Sequence, residues 1–239
     1  MKTCLITGAS GGIGGSIANK LVQDGWQVIL HCNQNLDGLI KQSEQFPEES
    51  VLAYIQADLS TSDGVDALLK QLHFQIDAFV HASGKATYGL FQDVQDMEID
   101  EMFHLHIKAP MKISRYLLSS MIKRTQGKIV LISSMWGEIG ASLEVLYSTV
   151  KGAQNTFVKA LAKEAAASGI QVNAVSPGFI DTKMNDRFTS EEREEFIASI
   201  PQQKAGRAED VANTVCFLLS ESAQYINGQI IGVNGGYTS

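Results

Sequence analysis

The chain has 239 residues, of which 44% are hydrophobic and 19% are charged, so its composition suits a globular domain and argues against long disordered segments. The formal net charge of −7 argues against a general nucleic-acid-binding surface. No apolar run approaches the roughly 20 residues of a membrane-spanning helix, so no membrane association is expected.

Short apolar runs alternate with longer helical patterns along the chain. The predicted strands are Thr3–Thr7, Gln27–Cys32, Val51–Ala57, Ala78–His81, Lys128–Ser133, Gln171–Ser176 and Gln229–Val233. The predicted helices are Gly12–Asp24, Leu36–Phe46, Ser62–His73, Asp96–Thr125, Val145–Ser168 and Glu209–Ser220. A repeated strand–helix order is typical of a parallel sheet with helices on both faces. Because we find no linker, repeat or low-complexity segment, residues 1–239 are predicted to form a single α/β domain.

The stretch Asp181–Arg207 interrupts this order and carries a run of acids: Asp186, Glu191, Glu192, Glu194 and Glu195. Two interpretations stay open. The stretch is either a solvated surface helix or, at residues 183–207, a mobile substrate lid over a cleft.

The three cysteines, Cys4, Cys32 and Cys216, lie far apart and form no C-x-x-C pair. This favours a reduced, cytoplasmic protein without a disulfide framework or a metal site. Met1-Lys2-Thr3 leads directly into the first strand, so no signal peptide is expected.

A glycine-rich turn, TGASGGIG at residues 7–14, joins the first predicted strand to the first helix. Glycines let a backbone turn tightly and approach a pyrophosphate, and the helix N-terminus offers it unpaired N–H groups. The spacing differs from the G-x-G-x-x-G of typical dehydrogenases, but the strand–turn–helix context is that of a nucleotide site. The expected cofactor contacts in this turn are Gly8, Ser10, Gly11, Gly12, Ile13 and Gly14.

Asp58 and Leu59 follow the third predicted strand and are further candidate cofactor contacts. The carboxylate of Asp58 could bind the adenine amino group while Leu59 backs the adenine ring. Alternatively, Asp58 only caps the helix that starts near Ser62.

Tyr147 and Lys151 are four residues apart on a predicted helix and so share one of its faces. A nearby ammonium favours the phenolate and is expected to lower the pKa of Tyr147 towards neutrality. Tyr147 can then give a proton to a carbonyl oxygen while hydride reaches the carbonyl carbon. Lys151 can also hold the nicotinamide ribose, and Ser134, at the end of a strand, can hydrogen-bond the same substrate oxygen.

These motifs together resemble the short-chain dehydrogenase/reductase family over the whole chain. The matching pieces are TGASGGIG, Ala57-Asp58-Leu59, Ser133-Ser134, Tyr147-Ser148-Thr149-Val150-Lys151, Asn173-Ala174-Val175-Ser176-Pro177-Gly178 and the ending Asn227-Gly228-Gln229 to Gly235-Gly236. The resemblance implies a doubly wound Rossmann fold with a seven-stranded parallel sheet, a nicotinamide cofactor and a homotetramer. It also implies cofactor contacts from Asn33, Ala82, Ser83, Gly84, Tyr147, Lys151, Pro177, Gly178, Ile180 and Thr182.

Two positions depart from the family pattern. The family's N-N-A-G after the fourth strand reads His81-Ala82-Ser83-Gly84 here, and Gly84 still allows close approach to the cofactor. The family's Asn that bends its helix and positions a water leading to Lys151 aligns with His106. His106 either binds that water, which makes it a fourth candidate catalytic residue, or is a packed, satisfied histidine.

The residues after the second strand favour NADP over NAD. NAD-specific relatives place an Asp there for the ribose 2′-hydroxyl, whereas this chain has His31-Cys32-Asn33, with no acid to repel a 2′-phosphate. The Arg that many NADP-dependent relatives carry in the glycine turn is Gly11 here, so NAD stays the alternative.

Two groups within the family compete for the substrate: the elongation factor P 5-aminopentanone reductases and the 3-oxoacyl-acyl-carrier-protein reductases. Strings such as His81-Ala82-Ser83-Gly84, Gly89–Asp93 and Ser133–Gly137 resemble the first group more closely. Glu138 and Glu144 are expected to border the substrate, where they suit an aminated group, unless both face solvent or a neighbouring subunit. We therefore expect NADPH-dependent reduction of a ketone carried on elongation factor P.

Two further points stay open. Met135 and Trp136 either line an apolar wall of the site or pack in the core. Some relatives act as non-catalytic sensors or scaffolds, but those typically lose the Tyr or the Lys, and both Tyr147 and Lys151 are present here. An enzyme is therefore the expected class.

Overall fold

The predicted strands form one parallel sheet. In the computed structural model, which describes residues 1–238, they are β1 (Thr3–Thr7), β2 (Gln27–Cys32), β3 (Val51–Gln56), β4 (Ala78–His81), β5 (Gly127–Ile132), β6 (Ile170–Pro177) and β7 (Ile230–Val233). Their order is β3-β2-β1-β4-β5-β6-β7, and all of these pairs are parallel. The strand order therefore reverses beside β1, as in a doubly wound Rossmann fold, and the predicted fold class is confirmed.

The helices are α1 (Gly12–Gln23), α2 (Leu36–Ser43), α3 (Ser62–Lys70), α4 (Asp96–Phe103), α5 (Ala109–Arg124), α6 (Trp136–Ile139), α7 (Val145–Ala165), α8 (Ser190–Ser199) and α9 (Ala208–Leu219). Short 3₁₀ turns complete the connections, including one directly after α7. The strand predictions were correct to within one residue at each end. Within residues 1–238, no helix is both long and apolar enough to cross a bilayer.

Successive residues of each strand point to opposite faces of the sheet, and the two faces are buried in two separate cores. Leu5 and Ile29 face α3, α5 and α7, whereas Ile6 and Leu30 face α1 and α9. All four side chains are 0% exposed, which explains why the strands are apolar at consecutive positions. Because the strands are parallel, the carboxyl ends of β1, β4, β5 and β6 lie along one edge, where ligands of such sheets bind.

The predicted helix Asp96–Thr125 is not continuous. α4 ends at Phe103, residues His104–Lys108 form a π-helical turn, and α5 follows. Pro110, in the first turn of α5, has no backbone N–H and cannot donate to the carbonyl of His106 four residues earlier. Single π turns inside helices are frequent at functional sites, and this one places His106 in the protein interior.

The acidic stretch after β6 contains α8, which begins with a capping box formed by Thr189 and Glu192. Of the ten residues of α8, all described, none is buried, so α8 lies on the surface of the domain. Phe196 of α8 stacks on Phe179, with 5.0 Å between the ring centroids, and this contact holds the helix to the domain. The interpretation of residues 183–207 as a lid stays a prediction.

Candidate active site

The glycine turn brings the end of β1 against the end of β4. Gly8 has a φ of +72°, and a Cβ there would lie 2.7 Å from the backbone of Ala82. A Cβ at Gly14 would lie 2.2 Å from the carbonyl oxygen of Gly8. Gly11, the N-cap of α1, has no side chain with which to cap the helix, so the N–H groups there are left for an anion. This arrangement fits the pyrophosphate of a dinucleotide.

The loop after β6 meets the glycine turn from the other side. Thr182 packs so closely that a Cβ at Gly12 would lie 2.9 Å from its Cγ2 atom. Ile180 is buried, and its carbonyl accepts a hydrogen bond from Asn185 Nδ2 at 2.7 Å. Gly178 donates its N–H to the carbonyl of Val233, and a Cβ on Gly178 would lie 2.8 Å from Asn234, the residue after β7. Of the predicted contacts in this loop, Thr182 reaches the turn, where Ser10 and Ile13 are half-buried and Gly11 and Gly12 are exposed.

His31 supports the turn from beneath, a role that the sequence did not suggest. Its Nδ1 accepts the N–H of Gly8 at 3.3 Å, and its Nε2–H donates to the carbonyl of Ala57 at 2.9 Å. Burial lowers the pKa of His31 to about 4, against the opposing hydrogen bond to Ala57, so the ring is neutral at pH 7. Since His31 is 1% exposed, a 2′-phosphate would meet the exposed Asn33 instead.

The alternative role of Asp58 as a helix cap is wrong, because Thr61 caps α3 by accepting the N–H of Gly64 at 3.0 Å. Asp58 is exposed and binds the N–H and hydroxyl of Ser60 with its Oδ1 atom. The side chain of Leu59 is 1% exposed and packs in the core, and its contact with the adenine ring stays a prediction.

His81, in place of the family's first Asn, ties three elements together. Its Nδ1 accepts from the hydroxyl of Thr7 at 2.9 Å, and its Nε2–H donates to the carbonyl of Leu105 at 3.2 Å. Burial, and next the charge of Lys151, lower the pKa of His81 to about 3. Beyond it, Ala82 and Ser83 are half-buried against the glycine turn, as expected for cofactor contacts.

His106 is 0% exposed and packs between Gly84 and Tyr147. Its Nε2–H donates to the carbonyl of Lys85 at 2.9 Å, and its ring lies edge-on to the ring of Tyr147 at 5.9 Å. A Cβ on Gly84 would lie 2.8 Å from this imidazole, so the ring would have to move for a larger residue. Among the described residues, Nδ1 of His106 has no hydrogen-bond partner. Burial lowers the pKa of His106 well below its usual value, so the ring is neutral.

Tyr147 lies on the first turn of α7, with its hydroxyl close enough to Ser134 for the two side chains to interact. The Oγ of Ser134 also accepts the N–H of Trp136 at 3.2 Å, which fixes its position. Burial raises the pKa of Tyr147 to about 12, while the interaction with Ser134 lowers it and the charge of Glu144 raises it. The expectation that Lys151 brings this pKa towards neutrality is therefore wrong for this structure, because burial is the largest effect.

Lys151 is 3% exposed, and its amine is directed to acceptors that the sequence did not single out. Nζ donates to the carbonyl of Ile132 at 2.7 Å and to Oε1 of Gln154 at 3.1 Å. It also lies 5.5 Å from the ring centroid of Tyr147. Burial lowers the pKa of Lys151 to about 7, so the amine can gain or lose a proton near neutral pH.

Charged side chains line the other side of Tyr147. Glu144, 6% exposed, pairs with Arg187 Nη2 at 2.5 Å, and burial raises its pKa. The guanidinium of Arg187 also lies over the ring of Tyr88, at 4.7 Å. Glu138 is exposed and accepts the hydroxyl of Ser176 at 2.5 Å. Glu144 thus faces the stretch that contains α8, and not open solvent.

Apolar side chains lie beside Glu138, Glu144 and Arg187, and together these residues form what is called the rim of the site below. Met135 is 3% exposed and belongs to the interior, where its N–H donates to the carbonyl of Pro177 at 3.0 Å. Trp136 is half-buried and packs edge-on against Phe196 of α8 and against Tyr237. The two open alternatives are thus divided between neighbours: Met135 packs in the core, and Trp136 forms a wall shared with α8.

A cavity of about 100 Å³ lies between the loop after β4 and the segment that precedes α7. Its apolar lining includes Tyr88, Leu90, Val94, Leu143 and Leu146. Leu146 immediately precedes Tyr147 in the chain, so an elongated ligand that reaches Tyr147 from this side would contact apolar surface.

Comparison with known proteins decides the family. Residues 8–238 match the family model described as enoyl-(acyl carrier protein) reductase. The chain belongs to the short-chain dehydrogenase/reductase family. Its members are oxidoreductases, and the site above contains the Ser, Tyr and Lys at the positions that the family motifs predict.

Relatives in this family cover nearly the whole chain. YmfI of Bacillus subtilis, described as an uncharacterized oxidoreductase, is 49% identical, over 99% of this chain and 98% of that protein. The 3-oxoacyl-[acyl-carrier-protein] reductase FabG of Staphylococcus aureus is 34% identical, over 98% and 97%. A solved structure named as an NAD(P)-dependent gluconate 5-dehydrogenase of Beutenbergia cavernae, with bound NADP at low occupancy, is 28% identical with a TM-score of 0.93, over 99% and 96%.

As the family motifs predict, the structure brings Ser134, Tyr147 and Lys151 together at one edge of the sheet. His106 lies beside them with its ring bonded away from Lys151. Two participants were missed by sequence reasoning. Gln154 lies one helical turn after Lys151, but a single buried amide gives no motif, and Arg187 belongs to a stretch that only its acidity marked.

Proposed function

We propose that this protein is an NADPH-dependent ketoreductase in which Tyr147 donates the proton, assisted by Ser134 and Lys151. The observation that carries the proposal is that the buried Tyr147 lies beside Ser134, with the buried Lys151 amine 5.5 Å from the centroid of its ring. With a pKa of about 12, Tyr147 keeps its proton at neutral pH, as a proton donor must.

NADPH bound at the glycine turn would supply hydride to the carbonyl carbon of the substrate. Ser134 orients the carbonyl by donating a hydrogen bond to its oxygen. As that oxygen gains the electron pair of the C=O bond, it takes the hydroxyl proton of Tyr147, and the product is an alcohol. Lys151 stabilises the tyrosinate that remains, and a proton from solvent restores Tyr147. The overall reaction therefore consumes a proton with each ketone reduced.

NADP is the proposed cofactor because the end of β2 offers the exposed amide of Asn33 and no carboxylate to a 2′-phosphate. The solved relative with bound NADP supports this choice. Titrations of the protein with NADPH and NADH, followed by the fluorescence of the nicotinamide, test it. We expect tighter binding of NADPH; NADH binding tighter by about tenfold, or 1.4 kcal/mol, would reverse the assignment.

For the substrate we propose the 5-aminopentanone group on modified elongation factor P. Glu144 and Glu138 lie on the rim between Ser134 and Tyr147, and their carboxylates complement a substrate ammonium. Glu144 is paired with Arg187 in this structure, so an ammonium that binds Glu144 has to replace that guanidinium. The cavity beside Leu146 is lined by apolar side chains, such as Leu90 and Val94, that can contact a methylene chain, and by the carboxylates of Asp93 and Glu98.

The second candidate substrate is a 3-oxoacyl thioester on acyl carrier protein. The observation that favours it is the 34% identity with the Staphylococcus aureus enzyme of that activity over 98% of the chain. In that case Arg187, and not Glu144, would face the substrate, because the phosphopantetheine arm is anionic.

One assay separates the two candidates. Purified protein with NADPH is offered acetoacetyl thioester in one reaction and 5-aminopentanonylated elongation factor P in another, and NADPH oxidation is followed by the absorbance of the reduced nicotinamide. We expect turnover of the modified protein. Rapid turnover of the thioester, with none of the modified protein, would favour the second candidate.

Three further parts of the proposal concern the surroundings of the site. The neutral His106 offers its unpartnered Nδ1 as an acceptor for a water or a cofactor hydroxyl. Residues 183–207 act as the substrate lid, because Arg187 and Phe196 join this stretch to the rim. The functional unit is a homotetramer, as expected from the family. The protein acts in the cytoplasm, as expected from the free Cys4, Cys32 and Cys216.

A further inference from the structure

Gln154 connects the Lys151 amine to the backbone of the π turn. It is 1% exposed and lies on α7, three residues after Lys151. Its Nε2–H donates to the carbonyl of His106 at 2.7 Å, and its Oε1 accepts from Lys151 Nζ at 3.1 Å. The orientation of the amide follows from its partners, because a carbonyl can only accept and an ammonium can only donate. Both ends of this buried amide are therefore used.

The carbonyl of His106 is available to Gln154 because of the sequence that follows it. In a regular α-helix, this carbonyl would accept the N–H of residue 110, but that residue is Pro110. The π turn His104–Lys108 widens the helix at the same place. A side chain from α7 can thus reach a main-chain oxygen that the helix itself leaves without this donor.

We propose that Gln154 is a positioning residue that holds the Lys151 amine towards Tyr147 and the cofactor ribose. It links Lys151 directly to the π turn, where the family resemblance implies a water held by an Asn at the position of His106. This inference rests on the proposed ketoreductase function. Among the described residues, the ring of His106 makes no hydrogen bond to Lys151, and its Nε2–H is bonded to the carbonyl of Lys85.

The surroundings of the Lys151 amine determine what a change at Gln154 does. The groups that face it are the ring of Tyr147 from α7, His81 from β4 and His106 from the π turn, and both histidines are neutral. Its acceptors are the oxygens of Ile132 and Gln154. Loss of the Gln154 oxygen therefore disfavours the ammonium, whereas a carboxylate in its place favours the ammonium.

The test compares Gln154→Met, which keeps the shape and removes the amide, with Gln154→Glu, which keeps the size and adds a charge. Both are assayed for NADPH-dependent reduction of acetoacetyl thioester and of 5-aminopentanonylated elongation factor P across pH. For Gln154→Met we expect kcat to fall about tenfold, as for the loss of one hydrogen bond to a charged group. The alkaline limb of its pH–rate profile should move to lower pH, and the alkaline limb of the Gln154→Glu profile should move to higher pH.

The matched control is Gln171→Leu, which removes a glutamine whose amide donates to the carbonyls of Ala223 and Ile226, away from the site. Its pH profile should equal that of the wild type. Shifts of the two Gln154 limbs in the same direction, or no shift in either, overturn the inference. If Gln154→Met does not fold, the shift of Gln154→Glu decides alone.

A second readout separates failure of this inference from failure of the proposed function. The affinity for NADPH, measured by fluorescence across pH, depends on Lys151 without any ketone. If the wild type binds NADPH but reduces no ketone, the proposed function fails, and opposite shifts of the NADPH-binding profile in the two Gln154 variants still support the inference. Binding profiles that match the wild type in both variants overturn it.

Discussion

The two sides of Tyr147 differ in charge and burial. Towards β4, its neighbour is His106, with His81 beyond it, and both histidines are buried and neutral. Towards α8, its neighbours are the ion pair of Glu144 and Arg187, which links the site to a surface stretch. The first side has nearly all of its polar atoms bonded inside the domain and so can hold a catalytic geometry. The second side depends on an exposed segment and so can change when substrate binds.

This difference assigns separate tasks to the two sides. Proton donation needs groups whose positions do not change, and a packed interior provides this. Substrate choice needs groups that solvent and ligand can reach, and the rim provides it. The comparison predicts that substitutions on the inner side change kcat or stability for every ketone, whereas substitutions on the rim change the choice among ketones.

The largest effect is expected for Tyr147→Phe, which removes the proton donor and keeps the ring beside His106. Because general acid catalysis contributes about 10² to 10⁴ in rate, we expect kcat to fall by about 10³. Affinity for NADPH should change little, and single-turnover NADPH oxidation measures the loss. The control is Tyr88→Phe, on the rim. Full NADPH oxidation by Tyr147→Phe with every ketone tested would contradict the assignment of the proton donor.

The next effect concerns acid stability. His31 and His81 have pKa values of about 4 and 3, below the value near 6.5 of an unfolded chain. Between these values the unfolded chain binds more protons, so the free energy of unfolding falls as the pH falls below about 6.5. From pH 7 to pH 5 each such histidine removes about 2 kcal/mol.

Urea unfolding at pH 7 and pH 5 checks this prediction, with His81→Asn as the variant. The Asn cannot titrate, so the loss of stability between the two pH values should be smaller in the variant by about 2 kcal/mol. His73→Asn, at an exposed position, serves as the control and should match the wild type. Equal losses in the wild type and in His81→Asn would mean that this histidine is protonated in the folded protein at pH 5.

The inner side also illustrates what the sequence can and cannot predict. The strands were predictable because successive residues face two apolar layers and are therefore all apolar. Ser134, Tyr147 and Lys151 were predictable because local spacing places them in known motifs. The bond between Gln154 and His106 joins residues 48 apart, which no local pattern encodes. The pKa of Tyr147 was predicted in the wrong direction because burial depends on the packed tertiary structure, and α8 was left open because few of its residues are apolar.

A smaller effect is expected where Gly84 meets His106. Gly84→Ala places a Cβ 2.8 Å from the imidazole, which has to move. We expect a loss of about 1–3 kcal/mol in stability, as for overpacking in a core, together with a lower kcat. His106→Asn in the same chain provides space and should recover part of the loss, so a double-mutant cycle by urea unfolding measures the coupling. Additive effects of the two changes would show that the two residues do not press on each other.

The smallest effect is expected on the rim, and it is the one that distinguishes substrates. Glu144→Gln keeps the size of the side chain and removes the charge that pairs with Arg187. For a ketone that carries an ammonium we expect KM to rise about tenfold, because a charged hydrogen bond contributes about 1.5 kcal/mol, while kcat stays near the wild-type value. A neutral ketone of the same length should keep its KM. Measured side by side, the two KM values test whether Glu144 recognises the amine, since an equal rise for both ketones would mean that the variant only loosens the contact with α8.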